Sequence, residues 1–310
     1  MFHAELVEGD LPKVVLRDSE ADSVVEAAPA RGGLVTRFAV AGEELLYLDL
    51  ATLIDRSKNV RGGIPVLFPI AGKLTEGCYT VDGVPYALPQ HGFARNGEWT
   101  LVGVRADEAA AATFQLTDDP ARREVFPYEF EFRLDVALTG GRLILSAVHR
   151  NTGERTLPLH FGYHPYFAIP QAAKARAVIQ TDATRIFDNR TARYGVLRDA
   201  APEDPQADAA DELVLVGVDL TVDELDLHLL DHQAHGTSLS FPQRPGTLRL
   251  SWSEHFRHFV IWTLRDRDFV CLEPWTAAGD ALNTGKDLIP IAPGESVATQ
   301  FEIEWLPDAK

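Results

Sequence analysis

Strand-like periodicity recurs along this chain with almost no helical periodicity between, and that limits its fold more than any other feature. Residues 34–40 (LVTRFAV), 44–50 (ELLYLDL), 130–138 (FEFRLDVAL), 142–150 (RLILSAVHR) and 247–252 (TLRLSW) alternate or run apolar, with β-branched and aromatic side chains. Residues 258–264 (HFVIWTL), 269–272 (FVCL) and 297–305 (VATQFEIEW) do the same. Turn residues punctuate them at Asp82-Gly83, Gly140-Gly141, Asn151-Thr152-Gly153 and Pro293-Gly294. Gly140-Gly141 between two alternating runs predicts a tight hairpin, because glycine supplies the positive φ such turns need. Helical signals are weak: residues 109–112 are too few for a helix, and residues 119–125 allow one or two turns. Residues 200–211, rich in Ala, Asp and Pro, read as an exposed loop. Many strands without crossover helices predict an all-β, antiparallel sandwich and not a βαβ array.

A length of 310 residues allows two domains, but no linker interrupts the chain, so residues 1–310 read as one domain. With 45% hydrophobic and 24% charged residues, the composition is that of a soluble globular protein. The net charge of −17 repels phosphate backbones and anionic headgroups, so nucleic acid and membrane are excluded as partners. The first residues, MFHAELVEGDLPKVV, lack the basic and apolar regions of a signal peptide. No stretch approaches the ~20 apolar residues of a membrane span, so the expected location is cytoplasmic. Cys78 and Cys271 are too few for a disulfide scaffold and too far apart for a metal knuckle.

Three segments carry side chains suited to chemistry. In residues 157–169 (LPLHFGYHPYFAI), period two puts His160, Gly162 and His164 on one strand face, and Pro165 ends regular pairing. An ionisable ring at a strand end, among aromatics, suits acid–base work on a small molecule. In residues 271–283 (CLEPWTAAGDALN), Glu273 follows an apolar strand and precedes a proline, with Trp275 nearby. A carboxylate desolvated there gains basicity near neutral pH; the alternative is an ordinary solvated strand end. In residues 88–98 (LPQHGFARNGE), Gln90, His91 and Arg95 surround Gly92 and offer donors for sugar or carboxylate oxygens. Residues 61–73 (RGGIPVLFPIAGK) form a restrained apolar wedge with Arg61 and Lys73 at its ends. His228, His232 and His235 lie near Asp226 and Asp231, but their spacing fits no compact metal-ligand pattern. His255 and His258 read as structural. G-x-S-x-G, Walker and G-x-G-x-x-G motifs are absent.

The order RGGIPVLFP, QHGFAR, GYHPYF, CLEPW resembles the aldose 1-epimerase (galactose mutarotase-like) family, including its hexose-6-phosphate mutarotase branch. The resemblance extends from about Leu34 to Trp305. It implies a β-supersandwich with the sugar on its concave face and no metal or organic cofactor. It also implies interconversion of α and β anomers through the open-chain aldehyde, with Glu273 as base and His164 as acid. His91, Gln90, Arg95 and Arg61 resemble positions that bind sugar hydroxyls or, in the phosphate branch, the anion. His164 and Glu273 are then expected to face one pocket, with His91 and Arg95 at its rim.

Two positions depart from the family's pattern. His160 stands where a small or aromatic residue is usual, and either tunes His164 or is a satisfied structural ring. The sugar-binding aspartate has no clear counterpart, and Asp226 is the choice. The alternatives are a glucose-6-phosphate 1-epimerase type of enzyme and a non-catalytic carbohydrate-binding protein. A glycoside hydrolase requires two facing carboxylates, of which one strong candidate exists. The partner is a small carbohydrate, and the chain is a monomer or homodimer.

Overall fold

Strands Phe130–Thr139 and Arg142–Asn151 pair antiparallel from Phe130↔Asn151 to Thr139↔Arg142, with Gly140 and Gly141 at φ 57° and 72° in the turn. Two positive φ values give the loop the twist of its flanking strands. A computed structural model describes residues 1–198, 213–242, 244 and 246–308; the loop expected over 200–211 lies outside the described residues.

This hairpin is the middle of an eight-stranded sheet. Its spatial order is Val178–Gln180, Gly236–Ser240, Gly246–Trp252, Ser296–Pro307, Arg142–Asn151, Phe130–Thr139, Ala110–Thr117, Thr100–Ala106. A nine-stranded sheet runs Leu213–Val216, Arg193–Arg198, Arg185–Asp188, Glu224–Leu229, His258–Leu264, Phe269–Trp275, Gly162–Tyr163, Val66–Leu67, with Tyr166–Ala168 also paired to Phe269–Trp275. Its pairings are antiparallel except between Arg193–Arg198 and Leu213–Val216. Five strands within residues 2–44 form a third, antiparallel sheet in chain order.

One apolar cluster draws on all three sheets: Leu16 and Val25 from the first, Phe132, Leu145 and Ile303 from the eight-stranded, Leu227, Ile261 and Leu272 from the nine-stranded. Each such side chain contributes ~1.5–3 kcal/mol on full burial, so this core holds the sheets together. Strand Phe269–Trp275 sends Val270 and Leu272 into it, which leaves Cys271, Glu273 and Trp275 on the opposite face. All seven of its residues are buried. That two-sided cover explains the unbroken apolar lettering around a glutamate.

Two local expectations are revised. Residues 44–50 do not form one strand. Pairing stops at Glu43–Glu44, continues as single bridges at Leu46 and Leu48, and ends where Asp49 caps helix Leu50–Ile54 by accepting the Ala51 and Thr52 N–H groups. Residues 110–112, read as too few for a helix, begin strand Ala110–Thr117, which pairs with Phe130–Thr139. Residues 157–169 are three short strands, Leu157–Leu159, Gly162–Tyr163 and Tyr166–Ala168. By contrast, helix Pro120–Val125 follows its cap Asp119 as expected. Among the described residues no helix is long and apolar enough to cross a membrane. Cys78 and Cys271 are free thiols, one exposed and one buried.

Candidate active site

Gly162 pairs with Trp275, and Tyr166 with Cys271. The same antiparallel register puts His164, midway, opposite Glu273. Pro165 interrupts the ladder there. The His164 N–H donates instead to the Pro65 carbonyl at 3.0 Å, and the Tyr166 N–H to Gly63 at 2.9 Å. Segment RGGIPVLFP therefore borders the histidine on one side and CLEPW on the other. Beyond Glu273 come its partner Val260 and then His228. Opposed residues share a face, so His164, Glu273 and His228 form one row, and Tyr166, Cys271, Trp262 and Asp226 the next.

His164 Nε2 lies 3.4 Å from Glu273 Oε1. The other carboxylate oxygen, Oε2, accepts from Trp275 Nε1–H at 3.2 Å. The His164 ring stacks on Tyr166, with centroids 4.8 Å apart and 9° between planes, and meets His91 edge-on at 5.4 Å. His91 Nδ1 accepts the Gly72 N–H at 3.0 Å, which leaves Nε2 to carry the proton of the neutral ring. That Nε2 is 3.2 Å from the exposed Gln90 amide. Glycines shape these walls. A Cβ on Gly162 would stand 2.6 Å from Trp275 Cδ1, and one on Gly92, at φ +69°, 2.3 Å from the Phe68 carbonyl oxygen.

Burial acts on both central groups. It pushes the Glu273 carboxyl well above the usual range, with the Asp226 charge adding to the rise. It holds His164 well below the usual imidazole value, helped by His91 and Arg95. Burial, then Arg95, lowers His91 likewise. A carboxylate so placed is a stronger base than in water, and an imidazolium so placed a stronger acid.

The remaining candidates spread around this pair. Arg61 is exposed, its guanidinium 5.8 Å from the Trp262 ring centroid. Asp226 is half-buried: Oδ2 accepts from Asn189 at 2.7 Å, and Oδ1 lies 3.7 Å from His228 Nε2. Neither Arg95 nor His91 stands at an open rim: each is 7% exposed. Arg95 donates to the Val60 carbonyl at 3.2 Å, where its charge acts on Tyr166 and Glu273. His160 is wholly buried, with Nε2 3.2 Å from Ala71 N and 3.0 Å from the Ala277 carbonyl. It ties two loops together. Asp231 binds Thr184 and Arg185, and His232 packs on Trp252, so neither joins Asp226 and His228. Sequence reasoning gave no role to Tyr166, Trp262 and Cys271 and none at the site to His228. Each lies two residues from a chosen position or directly across from one, a signal that period two carries.

The model of the aldose 1-epimerase family matches residues 14–304. The chain belongs to the aldose 1-epimerase family. Among its relatives, a protein of Cenchrus ciliaris named "Putative glucose-6-phosphate 1-epimerase" is 36% identical over 185 residues, 56% of this chain and 52% of that one. One of the same name from Escherichia coli K12 is 30% identical over 164 residues, 49% of this chain and 52% of that one. The chain thus spans about half the length of these curated relatives in each match. The structure of the Slr1438 protein from Synechocystis superposes with a TM-score of 0.87 at 30% identity, covering 99% of this chain and 100% of that one. Galactose 1-epimerase from Lactobacillus acidophilus gives a TM-score of 0.72 at 14% identity, with 100% of both chains covered, and shows that this aldose 1-epimerase family member has the galactose mutarotase-like fold.

Proposed function

We propose that this protein is a mutarotase that opens and recloses the ring of an aldose, with Glu273 as base and His164 as acid. The observation that carries the reading is their placement: a buried carboxylate and a buried imidazole 3.4 Å apart on one sheet face. Glu273 takes the proton from the anomeric hydroxyl while His164 protonates the ring oxygen, and the C1–O5 bond breaks. Two oxygens bonded to one carbon are close enough for neighbouring groups to serve both. After opening, carboxyl and imidazole are both neutral, the state burial favours. The aldehyde then turns its other face. His164 takes back the O5 proton, Glu273 returns its own to the carbonyl oxygen, and the ring closes on the other anomer. In this reading His91 and Asp226 bind hydroxyls, and Arg95 holds Tyr166 and, through the Val60 carbonyl, the Arg61 loop. The family match from 14 to 304 supports one domain.

The second reading takes a sugar 6-phosphate as substrate. The names of the curated relatives favour it, and exposed Arg61 and Lys73 are cations suited to the phosphate. Exchange NMR or polarimetry on aldoses and their 6-phosphates tests both readings. Acceleration lost in Glu273→Gln supports the assignment. Sugar binding without acceleration would make the protein a carbohydrate-binding member of the fold.

A further inference from the structure

We propose that His164, Cys271 and Glu273 form a binding site for a thiophilic divalent cation of the Zn²⁺ class, and that the bound ion shuts off the acid–base pair. The inhibitory half rests on the catalytic reading above; the binding half does not.

One ligand atom from each of these three residues lies within 4.8 Å of the other two, and all three residues are buried. The set is one nitrogen, one sulfur and one carboxylate oxygen, which are the donors Zn²⁺ selects. Strand register produces it. Cys271 and Glu273 are two positions apart on one face, and His164 stands opposite Glu273. Tetrahedral zinc, with bonds of about 2.0–2.3 Å, holds its ligand atoms about 3.5 Å apart. The His164–Glu273 contact, at 3.4 Å, already has that edge length. The sulfur closes by about an ångström, within reach of a χ1 adjustment. Trp275 Nε1–H fixes the free carboxylate oxygen at 3.2 Å, as an outer hydrogen bond orients a metal ligand. The fourth position is left for water or a sugar oxygen.

Cys271 has no part in the proton transfers, so the thiol adds a ligand without adding a catalytic step. On ligation the thiol gives up its proton to solvent and becomes a thiolate, and the one proton shared by His164 and Glu273 leaves to solvent as well. The ion then holds the lone pairs on His164 and Glu273 that would move protons. Bound metal and ring opening are mutually exclusive.

The test uses the full chain carrying Cys78→Ala, so that Cys271 is its sole thiol. Co²⁺ is titrated in and the thiolate-to-cobalt charge-transfer band is read; Zn²⁺ should displace it. Mutarotation is followed in parallel with and without Zn²⁺. We expect the band, and at least a tenfold loss of rate that a chelator reverses. Adding Cys271→Ala should remove the band and raise the half-inhibiting Zn²⁺ concentration at least tenfold, with the metal-free rate unchanged. If that variant does not fold, His164→Gln read by cobalt alone should weaken binding at least tenfold. No band, or a band indifferent to these substitutions, overturns the site. A band without inhibition keeps the site and overturns the inhibitory half, and with it the assignment of the pair.

Discussion

Glu273 and His164 face each other across a break in the sheet ladder, with Oε1 and Nε2 3.4 Å apart. The break has a covalent cause. Pro165 has no N–H to give, and the His164 N–H is already bonded to Pro65. The side chains therefore meet at a point held by regular pairing on either side, at Gly162↔Trp275 and Tyr166↔Cys271.

Removing either member should cost rate, not fold. Glu273→Gln and His164→Ala are each expected to lower the catalysed interconversion by about 10²–10⁴-fold, the usual contribution of one acid or base. Polarimetry checks the rate and circular dichroism the fold. Wild-type rate in either variant rejects its role.

In the proposed mechanism the pair works with one proton shared between its members, so the rate should be bell-shaped in pH. The acid limb, where His164 gains a second proton, lies below the usual imidazole value, because burial opposes that charge. The alkaline limb, where Glu273 loses the last proton, lies above the usual carboxyl range. Asp226 raises Glu273 further, so Asp226→Asn should move the alkaline limb to lower pH. A kcat/KM profile checks the sign, and an unmoved limb contradicts it.

Stability should fall in mild acid. Burial pushes His149 and His160 down to about 3 and His228 to about 4. In the unfolded chain each titrates near 6.5, so the unfolded state binds more protons below that pH. Their contribution is intact above pH about 6.5 and is lost as pH falls to about 4 for His228 and about 3 for His149 and His160, at up to ~1.4 kcal/mol per unit for each ring. Glu273, with its raised value, acts in the opposite sense. Urea unfolding at pH 7.5 and 5.5 measures the slope. His149 lies against Phe132 at 4.1 Å and Phe161 at 4.5 Å, so His149→Phe should lower the slope between these two pH values by about half a proton.

Gly92→Ala should cost at least about 2 kcal/mol, from a left-handed backbone and a Cβ driven into the Phe68 carbonyl. Thermal unfolding reads the cost. Activity should fall as well, since His91 is the neighbouring residue.

Arg61→Met separates the two substrate readings. If the 6-phosphate is the substrate, losing the charge-assisted contact should lower kcat/KM for it by about 10–10²-fold and leave the free aldose unchanged. Equal effects on both would remove Arg61 from phosphate recognition.

The sheet-rich fold was legible because hairpin signals such as Gly140-Gly141 and period-two runs act locally. Glu273 and His164 stood out because each charged or ionisable group breaks an apolar strand beside a proline. Arg95 and His91 were expected at the rim and are buried; the anchor of Arg95 is the Val60 carbonyl, 35 positions away in sequence. His160 shared a predicted face with His164, yet the strand between them is broken, and its partners Ala71 and Ala277 come from distant loops. Three of the first sheet's strands, Phe2–Val7, Lys13–Asp18 and Ser23–Ala28, went unread, since six-residue runs such as FHAELV carry little periodicity.

Because His164 and Glu273 sit on neighbouring strands, their meeting depends on parity. Lengthening either strand by one residue between its fixed pairs would turn His164 or Glu273 into the apolar core. An insertion of two would restore the face while shifting the partner by one row. Length variation in this protein should therefore be tolerated in its loops, and inside these two segments it should be forbidden in odd steps before even ones.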